Sequence, residues 1–325
     1  MKAPKVAQRM NPARSGRLPA KSRPLLSLWA PFLSLWAGGV ACVALLVGCG
    51  SDPGAAESRN NSPARETGDR DGMVEIPGGT VRLEGRTTTV APFLMKAKEV
   101  TNDEFAKFVE ATEYVTQAEE IGNSVVFHYG RGARGEGNVH DVVDGADWRH
   151  PLGPESSIEG KGDHPVIHVS WHDASAYASW RGWRLPSGPE WVFASKGGLE
   201  DAKYPWGTEL RPQRLYQMNA WQGTYPVEDS GLDGYRGPAP AGSFPANGYG
   251  LYDVAGNVWE WTAEVRAVGS GAEDRVGAVR GGSFLCRERA IPGESACRGY
   301  EIGSVQWKPL FDGNHNVGFR CAMDL

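Results

Sequence analysis

The chain has 325 residues, 40% of them hydrophobic, enough for one large core or two ordinary domains. Its formal charge of −5 leaves no basic footprint, which excludes nucleic acid as an expected partner. The charge is uneven, because Lys2, Lys5, Arg9, Arg14, Arg17, Lys21 and Arg23 stand between Met1 and Pro24 with no acid among them. This is a targeting pattern.

Leu25 to Gly48 is nearly all apolar and runs into Leu46-Val47-Gly48-Cys49, which looks like the lipobox of a bacterial lipoprotein signal. That reading puts acyl chains on Cys49 and tethers the mature protein to a membrane. An uncleaved transmembrane anchor, its basic flank left in the cytoplasm, is the alternative for residues 1–49. Either way the remainder is exported. Residues 50–72, GSDPGAAESRNNSPARETGDRDG, contain no aromatic or large aliphatic side chain and predict a flexible linker. The folded domain is expected over 73–325.

Within it, short apolar bursts such as MVEIP, VIHVSW and AVRGGSF are separated by Gly and Pro, which predicts short strands and long ordered loops. Thr101-Asn102-Asp103-Glu104 before FAKFVEAT, and Ser187-Gly188-Pro189-Glu190 before WVFASKGG, have the shape of capping boxes and predict two helices. A third is expected over His172 to Arg181, with Ala174, Tyr177 and Ala178 on one face and Asp173 near its start. The fold class is therefore mixed α/β with few helices. A loop as long as Gly207 to Phe244 needs something to pin it, and ligated metal ions are one answer. His164 and His168 share a face if VIHVSW is a strand, lack a third ligand, and read as structural. The sequence contains no HExxH, GxSxG or phosphate-loop pattern. Most of the twelve Trp residues are expected in the core, with Trp259 as a possible groove wall.

Several segments in one order, EVTNDEFAKFV, DWRHPLGPESS, DHPVIHVSWHDASAYASW, RLPSGPEW, YPWG, MNAWQGTYPVEDSGLDGY, NGYGLYDVAGNVWEW, RGGSFLC and NVGFRC, resemble the formylglycine-generating enzymes, the sulfatase-modifying factors. The resemblance covers almost all of 73–325 and implies a complex, loop-rich, C-type-lectin-like fold. It also implies two calcium sites. The first matches Asn219, Ala220, Asp233 and Tyr235, with Ala220 and Tyr235 acting through their carbonyls. The second matches Asp253, Gly256, Val258 and Glu260, Asp253 standing where the family often has Asn. Such hard oxygen donors suit calcium, and the bland reading makes the acids turn residues and Asn219 a loop cap.

By the same resemblance, Cys286 and Cys297 are the pair that binds monovalent copper, and Ser283 is the serine beside the first of them. The activity implied is copper- and oxygen-dependent oxidation of a cysteine in the CxPxR segment of an unfolded sulfatase to formylglycine. Ten residues, Arg287 to Ala296, separate the pair, more than is usual in the family. The interval from Cys297 to Gly318-Phe319-Arg320-Cys321 is the family's own, so the excess reads as a local insertion with both ligands kept. Doubling a loop costs only about 0.6 kcal/mol in closure entropy. Gly299 to Ser304 replaces an arginine-rich stretch of the family, and the family's methionine-glycine loop is shortened around Leu83 to Val90. The alternative from another class is an exported binding lipoprotein without catalysis, in which Cys286 and Cys297 form a disulfide. Cys321 is a further candidate partner for either one.

Overall fold

The computed structural model describes residues 70, 72–130, 139–271, 274–287 and 297–325. The chain divides into two compact units, Met1–Asn61 and Ser62–Leu325, and every described residue belongs to the second. Cys49 and nearly all of the expected linker therefore lie outside the described residues. Among those described, no helix is long and apolar enough to cross a membrane.

In chain order the elements are β1 (Met73–Ile76), β2 (Gly79–Leu83), β3 (Arg86–Val90), β4 (Phe93–Lys96), α1 (Asn102–Thr112), α2 (Gln117–Ile121), β5 (Asn123–Phe127) and β6 (His140–Asp144). They continue with α3 (Trp171–Trp180), α4 (Gly188–Ser195), β7 (Gly223–Thr224), β8 (Glu228–Asp229), β9 (Trp259–Ala267), β10 (Arg275–Arg280), β11 (Gln306–Pro309), β12 (Val317–Phe319) and β13 (Ala322–Asp324). The mixed α/β class, with short strands and few helices, is as expected.

All four α-helices begin with a full capping box: Thr101 with Glu104, Thr116 with Glu119, Ser170 with Asp173 and Ser187 with Glu190. Each box satisfies two otherwise orphaned groups, and losing a cap costs about 1 kcal/mol. These helices are short, so tertiary packing does the rest. Phe105 of α1 meets Trp148 edge-on at 5.2 Å and stacks on Tyr177 of α3 at 5.9 Å, and Phe319 closes the cluster against Tyr177 at 5.4 Å.

Two sheets hold the ends of the domain in place. In one, β4 lies between β1 and β13, so Met95 pairs with Val74 on one side and Ala322 on the other. In the other, the order is β11-β10-β9-β12, with β12 parallel to β9 and Gly318 beside Glu260. A register shift between Gly277 and Val279 bends β10 against β9 just before the Arg280-Gly281-Gly282-Ser283 turn.

The VIHVSW segment is not a strand. Its backbone bonds scatter among partners, Val166 N–H to Val100, His168 N–H to Asn314 and Trp171 N–H to Leu310, and His168 has φ +59°. His164 is half-buried beside Asp163, whereas His168 is fully buried, so the two do not share a face. His168 is structural: its ring lies 2.8 Å from Ser124 Oγ and 2.9 Å from the Pro151 carbonyl. Burial pushes its pKa down to about 4.

Candidate functional site

The turn after β10 carries the cysteine site. Gly282, at φ +78°, has no room for a Cβ, which would press on the Tyr300 backbone nitrogen and approach Cys286 Sγ. That closeness lets the chain fold back so that Ser283 N–H donates to Cys286 Sγ at 3.4 Å and Cys286 N–H donates to the Ser283 carbonyl at 2.8 Å. Asn316, just before β12, donates through Nδ2 to Ser283 Oγ at 3.0 Å. Cys286 is 2% exposed, and its Sγ is joined to Cys297 as a disulfide with 5.0 Å between the α-carbons. The ten residues between them therefore leave the two sulfurs in contact. Cys321, the third described cysteine, is a free, buried thiol whose pKa burial pushes up, which removes it as a partner for either.

Cys297 lines an open cavity of about 490 Å³, together with Trp259, Tyr225, Leu285, Arg287 and Arg298. Trp259 is thus a wall of this cavity, packed so tightly that a Cβ on Gly299 would strike its ring. Once reduced, the pair would offer two soft sulfur donors, the ligand type that suits monovalent copper.

The residues expected at the two calcium positions are brought into one region. Asn257 N–H donates to the Asn219 carbonyl at 2.9 Å, Asn219 Nδ2 donates to Asn257 Oδ1 at 3.0 Å, and Gly256 lies where a Cβ would strike that carbonyl. At the first position, the Ala220 carbonyl and Asp233 Oδ2 converge on one donor, Gln222 Nε2. Asp233 Oδ1 accepts Tyr235 N–H at 3.0 Å. Asn219 instead turns its amide nitrogen to the Gly237 carbonyl.

At the second position, Glu260 is fully buried and already committed. Arg320 Nη2 and Nε bond its two carboxylate oxygens at 2.6 and 2.7 Å, and Trp191 Nε1 donates to it at 2.8 Å. Asp253 Oδ2 accepts Gly242 N–H, while Asp253 Oδ1 has no partner. Sequence reading treated Glu99 only as a landmark, yet its carboxylate is fully buried in the same cluster, and Oε2 has no partner. Burial, reinforced by neighbouring negative charge, raises Glu99 well above the carboxylate range and pushes Asp253 up to about 6. An acid immediately before an apolar residue and a helix cap was the only sequence signal for Glu99. Two unpartnered buried carboxylate oxygens suit a hard divalent cation. Among the described residues no three His, Cys, Asp or Glu side chains are grouped so as to hold a metal ion.

A loop-rich mixed α/β domain with a sulfur pair on a cavity wall defines the class. The profile described as "Sulfatase-modifying factor enzyme 1-like domain" matches residues 58–325, and the chain belongs to that family. A protein named formylglycine-generating enzyme from Thermomonospora curvata is 44% identical over 290 residues, which cover 78% of this chain and 93% of that protein. The mouse protein of the same name is 37% identical over 336 residues, 88% of each chain. "Inactive C-alpha-formylglycine-generating enzyme 2" of Bos taurus is 38% identical over 280 residues, 77% of this chain and 87% of that one. Among solved structures, PvdO from Pseudomonas aeruginosa aligns with TM-score 0.54 at 22% identity, over 78% of this chain and 94% of its own, a likeness of fold alone.

Proposed function

We propose that this protein is a formylglycine-generating oxidase that converts a cysteine in a CxPxR segment of an unfolded sulfatase to formylglycine, with oxygen as acceptor. The observation that carries this reading is the meeting of Cys286 and Cys297 at the wall of an open cavity, in a chain 44% identical to a protein of that name. Monovalent copper, when bound by two thiolates, accepts a third soft ligand and couples thiol oxidation to oxygen. Cys286 and Cys297 would hold it, Cys297 from the side that a substrate reaches. The Ser283 N–H holds the Cys286 sulfur in position, and Asn316 fixes the Ser283 hydroxyl beside it. Trp259 and Tyr225 wall the cavity and shield the reacting substrate side chain from water on those sides.

Calcium is assigned to the loop core, through Asn219, Ala220, Asp233 and Tyr235 at one position and Asp253, Gly256, Val258 and Glu260 at the other. Export, with Cys49 acylated to tether the domain to a membrane, completes the proposal. Substrate is then met unfolded on the outer side.

A second reading is supported by the disulfide itself and by the relatives named inactive, 38% and 40% identical. In that reading the domain binds without oxidising. Anaerobic thiol titration separates the two. Two thiols released by mild reductant, followed by uptake of one equivalent of monovalent copper, is the expected result for the oxidase; a pair that stays bonded and takes up no copper would overturn it.

A further inference from the structure

A second cavity, of about 380 Å³, has Phe284 in its wall, shares no lining residue with the cysteine cavity and differs from it in kind. Phe127, Phe284, Ile158 and Ile167 make its walls apolar, and His315 is buried at its floor, 5% exposed. The imidazole lies parallel to the Phe127 ring at 5.8 Å and edge-to-face with Phe284 at 5.6 Å. The rings of His140 and His168 stand 6.2 and 6.4 Å away. Neither nitrogen of His315 has a hydrogen-bond partner. The nearby Val125 carbonyl favours an N–H on one of them without completing a bond. Burial holds the ring well below its ordinary pKa, hence neutral, so the other nitrogen is an acceptor without a donor. A buried acceptor left in that condition is unfavourable, and a bound donor would relieve it.

The mouth has a sign. Lys161 and Arg236 line the cavity and are exposed, whereas no Asp or Glu lines it among the described residues. We propose that this cavity is a binding site for a small hydroxyaryl anion, its ring between Phe127, Phe284 and Ile158, its hydroxyl donating to His315, and its charge between Lys161 and Arg236. The site is separate from the cysteine pair but close to it in the chain. Phe284 follows Ser283, and His315 precedes Asn316, which holds the Ser283 hydroxyl at 3.0 Å.

The test is calorimetric titration of the full chain, in calcium-containing buffer, with 4-hydroxyphenylacetate, phenylacetate and 4-hydroxyphenylacetamide. One saturable site is expected for the first probe. Phenylacetate, lacking the donor, should bind roughly fivefold more weakly. The amide, lacking the charge, should bind roughly threefold more weakly, and only the anions should weaken with added salt. His315→Leu should abolish the preference for the hydroxyl while leaving the preference for charge, and Lys161→Gln with Arg236→Gln should do the reverse. The proposal is overturned by the absence of saturable binding, by equal affinity of parent protein for all three probes, or by a folded His315→Leu protein that still prefers the hydroxyl. If that variant does not fold, the ranking of the three probes on the parent decides.

Discussion

The cysteine cavity and the Arg320 cluster draw on consecutive residues of β9, Trp259 and Glu260, and place reactive groups in opposite environments. At the first, a sulfur faces an open cavity, next to a stretch whose length departs from the family's. At the second, Glu260 and Arg320 are both 0% exposed and pair bidentately, with Asp253 and Glu99 packed around them. A buried cluster of this kind tolerates no missing member, because each charge is compensated only by its neighbours. A segment between two fixed points tolerates a change of length, since closing a longer loop costs little. The difference is one of environment: Cys297 lines an open cavity, whereas Glu260 and Arg320 are closed off from solvent.

The largest expected effect breaks the first region alone. Cys286→Ser and Cys297→Ser should each lower formylglycine formation by at least about 10²-fold under reducing conditions, because each removes a soft ligand. Their urea midpoints under the same conditions should stay near the parent's.

Breaking the second region should do the converse. Arg320→Met leaves the buried Glu260 carboxylate without its guanidinium partner and should destabilise the domain by roughly 3–5 kcal/mol in denaturant unfolding. The double variant Arg320→Met/Glu260→Leu should recover part of that loss.

His168 sharpens the comparison through pH. Its folded pKa of about 4 lies below the ordinary 6.5, so below pH 6.5 the unfolded chain gains a proton that the folded one refuses. Its contribution to stability is present above 6.5 and is lost as pH falls through 4. The stability gap between parent and His168→Phe should therefore shrink over that window, by at most roughly 3 kcal/mol. A gap that is constant with pH would contradict a neutral buried imidazole.

The smallest effect concerns the 219–235 loop. Asp233 accepts N–H groups from Ala220, Gln222 and Tyr235, so Asp233→Ala should cost roughly 1–3 kcal/mol. It should also remove part of the rise in melting temperature on adding calcium. An undiminished calcium response would exclude Asp233 as a ligand.

Much of the local structure was legible because it rests on neighbours in sequence. The boxes at Thr101 and Ser187, and the face formed by Ala174, Tyr177 and Ala178, led directly to helices. The box at Thr116 has the same signature, but a helix of five residues has too few apolar positions to show a period. VIHVSW was misread because its apolar run reflects burial between elements, and its backbone bonds go to several segments and form no ladder. The site residues divide in the same way. Cys286, Ser283 and Trp259 could be named from their motifs; Glu99 and Asn316 also stand in motifs, EVTNDEFAKFV and NVGFRC, but they and His315 acquire roles only through partners far along the chain, as in the 3.0 Å bond from Asn257 to Glu99.

The central claim is that the cysteine pair oxidises a substrate cysteine despite its widened spacing. Mass spectrometry of a CxPxR peptide incubated with the full chain, monovalent copper, calcium, reductant and oxygen measures this directly. The account predicts that the peptide cysteine loses about 18 Da, as expected for conversion of thiol to aldehyde, with the parent protein and with neither cysteine variant. An unchanged peptide after incubation with folded, copper-loaded parent would contradict it, and the domain would then be a binding module on the same scaffold.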